Sequence, residues 1–537
     1  MLLACGCAPS VPGGPLDDAP PTPSHSSAIT HTEETGVQGR PDTGVDGRPT
    51  GVDSSAWTLA DTRDTSSPTR DTAHTAHTAA PADTHDTADT GDGVASHTGA
   101  TTVHTGDTGH ASPLPLLQGD VSVPGRAGLS VLGSATRSGL GWSIASLDFD
   151  GDGWEDLVAN TDPFRGFGTT YVFPGPQSGV QEATVAAGLT IVGSRAFQPA
   201  SYLRGLAGVG DVTGDGVEDL VVLGGENGFY ALVFAGGPEV SGVLDAWSDA
   251  TARIVVDSNF MNVADPGDVD GDGLGEILLA QTRHPPEAAG AVTLFFGPIE
   301  GYVPRREGVQ IAGIAGYSCS NGPCGIGASL DGGDLDGDGH SDVILGSPGG
   351  GGAVLVFTSL PRAGGVLATD AEAILVGRPD RPGIGFDLSA AGDVDGDGLA
   401  DLTASASPAQ TGVPEGVGCI VYQVPAGEHD IYDVADACYG DASYYMGYFS
   451  RIVGDLDGDG FADWTVGSIG TTHLFYGPSH GTLGPEDIGA TLHPSGHQSG
   501  PLGVGDYDHD GYDDIAFGAH WDDGRVDVLL GGVLDQP

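Results

Sequence analysis

One nine-residue acidic loop recurs seven times in this chain, and that repeat restricts the fold more than any other feature. The copies read DFDGDGWED from Asp148, DVTGDGVED from Asp211, DVDGDGLGE from Asp268, DLDGDGHSD from Asp334, DVDGDGLAD from Asp393, DLDGDGFAD from Asp455 and DYDHDGYDD from Asp506. Successive first aspartates lie 63, 57, 66, 59, 62 and 51 residues apart. A period of this size signals an array in which one supersecondary unit is repeated and stacked on its neighbours.

The loop chemistry points to a hard divalent cation. Calcium takes about six to eight oxygen ligands in loose geometry, which suits alternating carboxylates on a bent backbone. The spacing nominates side chains at positions one, three, five and nine, and the backbone carbonyl at position seven. The sets are Asp148, Asp150, Asp152, Trp154 and Asp156; Asp211, Thr213, Asp215, Val217 and Asp219; and Asp268, Asp270, Asp272, Leu274 and Glu276. Next come Asp334, Asp336, Asp338, His340 and Asp342, then Asp393, Asp395, Asp397, Leu399 and Asp401. The last two are Asp455, Asp457, Asp459, Phe461 and Asp463, and Asp506, Asp508, Asp510, Tyr512 and Asp514. Carboxylates packed this closely repel one another unless a cation lies between them. Glycine at position six, Gly153 in the first copy, supplies the sharp turn. Thr213 removes one charge, so the second loop is expected to bind most weakly. His509 at position four is expected to be neutral, since that position is not a ligand.

The same nine residues begin an EF-hand loop, but an EF-hand needs a bidentate glutamate at position twelve, leading into a helix. Position twelve here is Ala159, Val222, Leu279, Leu345, Ala404, Val466 or Phe517. The following runs, such as DLVVLGG, are short, apolar and β-branched, and then break at glycine or proline, which reads as buried strand. Each repeat reads as four strands: A before the loop, B after it, an aromatic or aliphatic C such as TTYVFPGP, and D such as LTIVGS. Units of this kind in about four to eight copies make a β-propeller. The seventh repeat ends after strand C, while a spare strand, LSVLGSA at 129–135, precedes the first and closely matches LTIVGSR at 189–195. The expected fold is therefore all-β: a seven-bladed propeller over 118–537 with calcium loops between strands A and B, its last blade completed by the N-terminal strand.

This region resembles the FG-GAP repeats of the integrin α-subunit propeller, across all seven repeats. The loop is the most specific part of the likeness; Gly385–Phe386 keeps the FG pair, while GSP at 346–348 and GAH at 518–520 approximate GAP. The resemblance implies the fold and bound calcium, up to seven ions, and leaves the partner open.

The formal net charge is −56, with 18 Lys plus Arg against 74 Asp plus Glu. Such a chain is expected to bind no nucleic acid through its phosphates and to be repelled by anionic membranes. Residues 8–117 are rich in Thr, Asp, Gly, His, Ser and Pro, with words such as HTAHTA and DTHDTADTGD, and are expected to form a disordered linker. Residues 1–7 contain Leu2-Leu3-Ala4-Cys5-Gly6, which resembles a bacterial lipobox with Cys5 as the lipidated residue. Only four residues precede Cys5, so the usual signal regions do not appear before it. Cys419 and Cys438 fall on strands C and D of the fifth blade about an AGEHD turn, and Cys319 and Cys324 share one loop; both pairs are expected to be disulfides, placing the protein outside the cytosol.

No G-x-S-x-G, H-E-x-x-H or phosphate-cradling loop is present, and no enzyme activity is expected. The function expected is a surface-tethered adhesion or ligand-binding protein, whose partner is a protein or a glycan at a cell surface. A carbohydrate-active hydrolase or lyase on a propeller, or a structural envelope protein, are the alternatives. The ligand face is expected opposite the calcium loops, with candidates Phe164, Arg165, Phe167, Arg283, His284, Tyr317, Tyr444, Tyr445 and Trp521.

Overall fold

The computed structural model describes residues 117–134, 138–162, 168–193, 205–224, 229–256, 261–281, 290–313, 325–408, 415–443, 445–494, 498–521 and 523–532. Among these residues the strands form seven sheets of five strands each. Blades are numbered here by their acidic loops. In blade 1, strand A is Ile144–Leu147, B is Asp156–Asn160, C is Thr169–Phe173 and D is Leu189–Val192. The A–B, B–C and C–D pairs are antiparallel.

The strands form where the sequence alternates or runs apolar. Strand B is the most buried element: Asp219–Gly224, Glu276–Gln281, Asp342–Ser347 and Asp463–Ser468 have no exposed residue. Its near-continuous apolar run reflects coverage on both faces by adjacent blades. The A strands of successive blades neighbour one another in a closed ring, from Ile144–Leu147 of blade 1 round to Gln498–Gly503 of blade 7. The apolar clusters accordingly span blades: Phe149, Val212, Leu232, Ile254 and Ile277 share one.

The closure expected from sequence is present. Leu129–Leu132 pairs antiparallel with Arg525–Leu529, strand C of blade 7, placing Leu129 opposite Val528 and Val131 opposite Val526. Leu129 and Val131 are wholly buried.

The expected count of four strands per blade is corrected to five. The fifth strand comes from the next blade: the connection between its strands C and D reaches back and adds a parallel strand to the outer edge. Thus Gly242–Asp245 of blade 2 pairs with Leu189–Val192 of blade 1, and Gly301–Val303 of blade 3 pairs with Ala252–Val256 of blade 2. The same exchange runs round the ring. At the last joint the chain's own N-terminal segment supplies it, Gly119–Ser122 pairing with Ala490–His493 of blade 6. These outer strands escape a periodicity reading because they are short and mostly exposed, with sequences such as GVQE, GVLD and GEHD. Their marker is a glycine at or just before the strand, with φ between 66° and 102° at Gly119, Gly179, Gly242, Gly301, Gly364, Gly427 and Gly481.

This also corrects the AGEHD segment. It is not a hairpin turn: Gly427–Asp430 is an outer strand on Ala373–Val376 of blade 4. The disulfide expected there exists nonetheless. Cys419 and Cys438 are directly opposed on strands C and D of blade 5, with Cα atoms 4.1 Å apart. Cys319, Cys324 and Cys5 lie outside the described residues, as do residues 8–116 of the expected linker; its last residue, Leu117, is instead buried in the propeller beside Val121 and Val123.

Candidate metal centres

Each acidic loop is fixed at position two. Phe149, Val212, Val269, Leu335, Val394, Leu456 and Tyr507 are all buried beneath their loops. The flanking acids are thereby held at the surface while the backbone bends between them. The bend uses left-handed glycine at positions four and six, as at Gly151 (φ 74°) and Gly153 (φ 88°). Position four of the seventh loop is His509, with φ 57°.

The carboxylates at positions one and five make the same hydrogen bonds in all seven copies. The first aspartate accepts the amide of the position-six glycine: Asp148 from Gly153 at 3.0 Å, Asp211 from Gly216 at 2.7 Å, Asp455 from Gly460 at 2.9 Å, and so round the ring. The carboxylate at position five accepts the amide at position seven, as in Asp152 from Trp154 at 3.0 Å and Asp510 from Tyr512 at 3.1 Å.

The carboxylate at position nine is the buried member. Asp156, Asp219, Glu276, Asp342, Asp401, Asp463 and Asp514 are each at most 1% exposed. In loops three to seven it accepts the position-two amide at 2.5–3.0 Å. In four blades its other oxygen accepts the amide of the glycine after strand C (Gly175, Gly236, Gly477 or Gly531) at 2.7–3.1 Å. Buried oxygens without any hydrogen bond remain at Asp156 Oδ2, Glu276 Oε1, Asp342 Oδ1 and Asp401 Oδ1, and at Asp508 Oδ1 in position three. A buried anionic oxygen with no donor is costly and calls for a cation. Donor atoms of Asp268, Asp270, Asp272 and Glu276 lie within 4.8 Å of one another, as do triads from the first, fourth, fifth and sixth loops. The residues present therefore fit a divalent metal with an all-oxygen shell.

Burial, reinforced by the neighbouring loop carboxylates, pushes the position-nine groups up: Asp156, Asp219 and Asp342 to about 7, Glu276, Asp401 and Asp514 to about 8, and Asp463 to about 9. In the second loop Thr213 donates its amide to Asp219 Oδ2 at 2.8 Å.

Neighbouring loops touch, which sequence reasoning missed. The side chain at position seven of each loop covers the position-four glycine of the loop before it: Val217 over Gly151, Leu274 over Gly214, His340 over Gly271, Leu399 over Gly337, Phe461 over Gly396 and Tyr512 over Gly458. At the closing joint Trp154 stacks on His509 with ring centroids 3.3 Å apart. His509 is thus a ring-closing contact, not a neutral substitution. The position-eight amide also donates to the position-one carbonyl of the preceding loop at five joints, at 2.9–3.0 Å, as in Ser341 to Asp268. A signal was available: position two is apolar or tyrosine in every copy, and position seven is aliphatic, aromatic or histidine in every copy.

Four carboxylates that are not among the loop ligands join neighbouring blades. Glu218 accepts the Asp148 amide at 3.0 Å, Asp331 the Ala390 amide at 3.1 Å, Asp387 the Ser450 amide at 3.0 Å and Asp513 the Asp455 amide at 2.8 Å. Of the proposed ligand-face residues, Phe164, Arg165, Phe167, Arg283, His284, Tyr317 and Tyr444 lie outside the described residues. Tyr445 packs edge-on to Tyr448, and Trp521 is exposed. Among the described residues no helix is long and apolar enough to cross a membrane.

Comparison with known protein sequences finds FG-GAP repeats in two of these blades. The family model for the FG-GAP repeat matches residues 140–173 and 326–357, which run from strand A through strand C of blades 1 and 4. Mouse integrin alpha-8 is 27% identical over 249 residues, covering 44% of this chain and 22% of the integrin. The chain thus spans about a fifth of that relative's length. Among solved structures, a crystal structure of BBS1N in complex with ARL6DN, soaked with lead, aligns over 74% of this chain and 96% of its own, at 10% identity and a TM-score of 0.38.

Proposed function

Because this chain is an FG-GAP-repeat propeller of the integrin α type, we propose that it is an extracytoplasmic, calcium-binding adhesion or ligand-binding protein, tethered to the cell surface through Cys5. The observation that carries the reading is the sevenfold loop with its buried, unpaired carboxylate oxygens. Calcium in such a shell neutralises the carboxylates and straps strand A to strand B. The chain's own residues supply the rest: the apolar side chain at position two seats the loop, and the glycines at positions four and six bend it. The Cys419–Cys438 disulfide supports an oxidising compartment. A binding role is favoured over catalysis because Glu218, Asp331, Asp387 and Asp513 are occupied in holding neighbouring blades together.

The test is calcium-dependent binding of the full chain to cell surfaces and to a glycan array. Binding lost in chelator and regained with calcium is the expected outcome. A folded, calcium-loaded protein that binds neither would contradict the adhesive reading.

The position-nine carboxyls set the pH dependence. Calcium needs them ionised, and burial holds their metal-free pKa at about 7 to 9. Binding therefore releases close to one proton per site at pH 6, and affinity falls about tenfold per site per pH unit below about 7. The metal-free chain should show the opposite trend. Its folded-state carboxyl pKa values lie above the unfolded ones, so stability from these groups is full below pH ~4 and is lost as pH rises to about 7–9. Calcium titrations at pH 6, 7 and 8 check the first trend, and melts in chelator check the second.

A further inference from the structure

The chain carries 18 basic residues, all of them arginine, and one stands inside a proposed cation site. Arg362 lies in the connection between strand C of blade 4, Ala353–Phe357, and the outer strand Gly365–Leu367 that this connection adds to blade 3. Such connections pass beside the preceding blade's loop; Ile299 of blade 3, for example, donates its amide to the Val212 carbonyl in the second loop at 2.7 Å. Of the connections between strand C and the next outer strand in blades 1 to 6, only that of blade 4, TSLPRAG, contains an arginine.

Arg362 Nε is paired with Asp270 Oδ2, and Arg362 Nη2 lies 2.6 Å from Asp272 Oδ2. Its guanidinium carbon stands 5.5 Å from the centre of the Phe296 ring. Asp272 Oδ1 already accepts the Leu274 amide at 3.0 Å, so Arg362 takes the oxygen left for a metal. In the first, fourth, fifth and sixth loops the position-three carboxylate accepts the position-five amide at 3.0–3.1 Å. In the third loop neither Asp270 oxygen accepts a hydrogen bond from its own loop, and Asp270 faces the guanidinium instead. In this loop all four carboxylates, Asp268, Asp270, Asp272 and Glu276, come together.

We propose that Arg362 is a tethered competitor for the third cation site: it lowers that loop's calcium affinity and is expelled, together with the 358–364 connection, when the loop fills. The proposal rests on the calcium reading above. A guanidinium carries one charge on a flexible stem, and calcium carries two, so the ion prevails once its concentration is high enough. The third site then joins the Thr213-containing second site in a weak class. Because Arg362 also bridges blade 4 to the loop of blade 3, filling this site frees a surface segment that the metal-free protein holds down.

Equilibrium dialysis of calcium into the full chain, with hydrogen exchange of peptides covering 358–364, tests this. Wild type is expected to show five tighter and two weaker ions. Arg362→Gln should move one ion into the tighter class, with a three- to tenfold gain, roughly what a half-exposed ion pair can impose. Calcium should speed exchange of 358–364 in wild type and leave it unchanged in Arg362→Gln, where the segment is already free. Asp270→Asn, which disables the third loop itself, should weaken or remove one weak-class ion. Identical isotherms for wild type and Arg362→Gln, alongside an Asp270→Asn that loses an ion, would overturn the proposal. So would 358–364 exchange that ignores calcium in wild type. A wild type that takes up no calcium would instead overturn the calcium reading and, with it, this one.

Discussion

Chelation of calcium is expected to lower the melting temperature of this protein by about 10–20 °C. A ligand present at about ten times its dissociation constant stabilises the folded state by about 1.4 kcal/mol per site. Seven sites then contribute about 10 kcal/mol, comparable with the entire stability of many domains. For a propeller of this length each kcal/mol is worth about 1–2 °C, since the shift per kcal/mol shrinks as the chain grows. The contacts between loops add a reason for a large effect. Every position-seven side chain from Val217 to Tyr512 rests on the loop before it, and Trp154 closes the circle on His509. Repulsion in one emptied loop is therefore felt at its neighbour. Differential scanning calorimetry in calcium and in chelator checks this; superimposable melts would remove calcium from any structural role.

Deleting residues 1–134 is expected to prevent the propeller from folding, whereas deleting 1–116 should leave it intact. The short segment between those cuts closes two blades at once. Leu129–Leu132 is strand D of blade 7, and Gly119–Ser122 is the outer strand of blade 6. It buries Val121, Val123, Leu129 and Val131, at about 1.5–3 kcal/mol each, roughly 6–12 kcal/mol in all. Its loss also opens the edge of Arg525–Leu529 to pairing with other chains. The 1–116 deletion spares Leu117, whose carbonyl accepts the Tyr476 hydroxyl at 2.8 Å. A circular permutant that carries 117–134 after Pro537 should recover a cooperative melt. Circular dichroism and size exclusion of the three chains decide the matter, and a folded, monomeric 135–537 fragment would refute the closure.

The sequence announced what repeats with strong chemistry. Seven copies of one loop pattern, apolar strand B runs and the match of LSVLGSA to LTIVGSR sufficed for the blade number and for closure at Leu129–Leu132. The outer strands were not legible, because they bury little and pair through the backbone; GEHD at 427–430 carries no apolar alternation and reads as a turn. The candidate ligands were legible by spacing, but the contacts between loops were not. Nothing local in the sequence indicates that Trp154 stacks on His509, 355 residues away along the chain. Arg362 was invisible for the same reason: its partners Asp270 and Asp272 belong to another blade.

The central claim is that the acidic loops are calcium sites. The direct measurement is the number of calcium ions retained per folded chain, read by inductively coupled plasma mass spectrometry after equilibration in millimolar calcium at pH 7.5. Seven ions per chain, displaced by chelator, is the result predicted from the seven loops. A folded chain that retains none would contradict it.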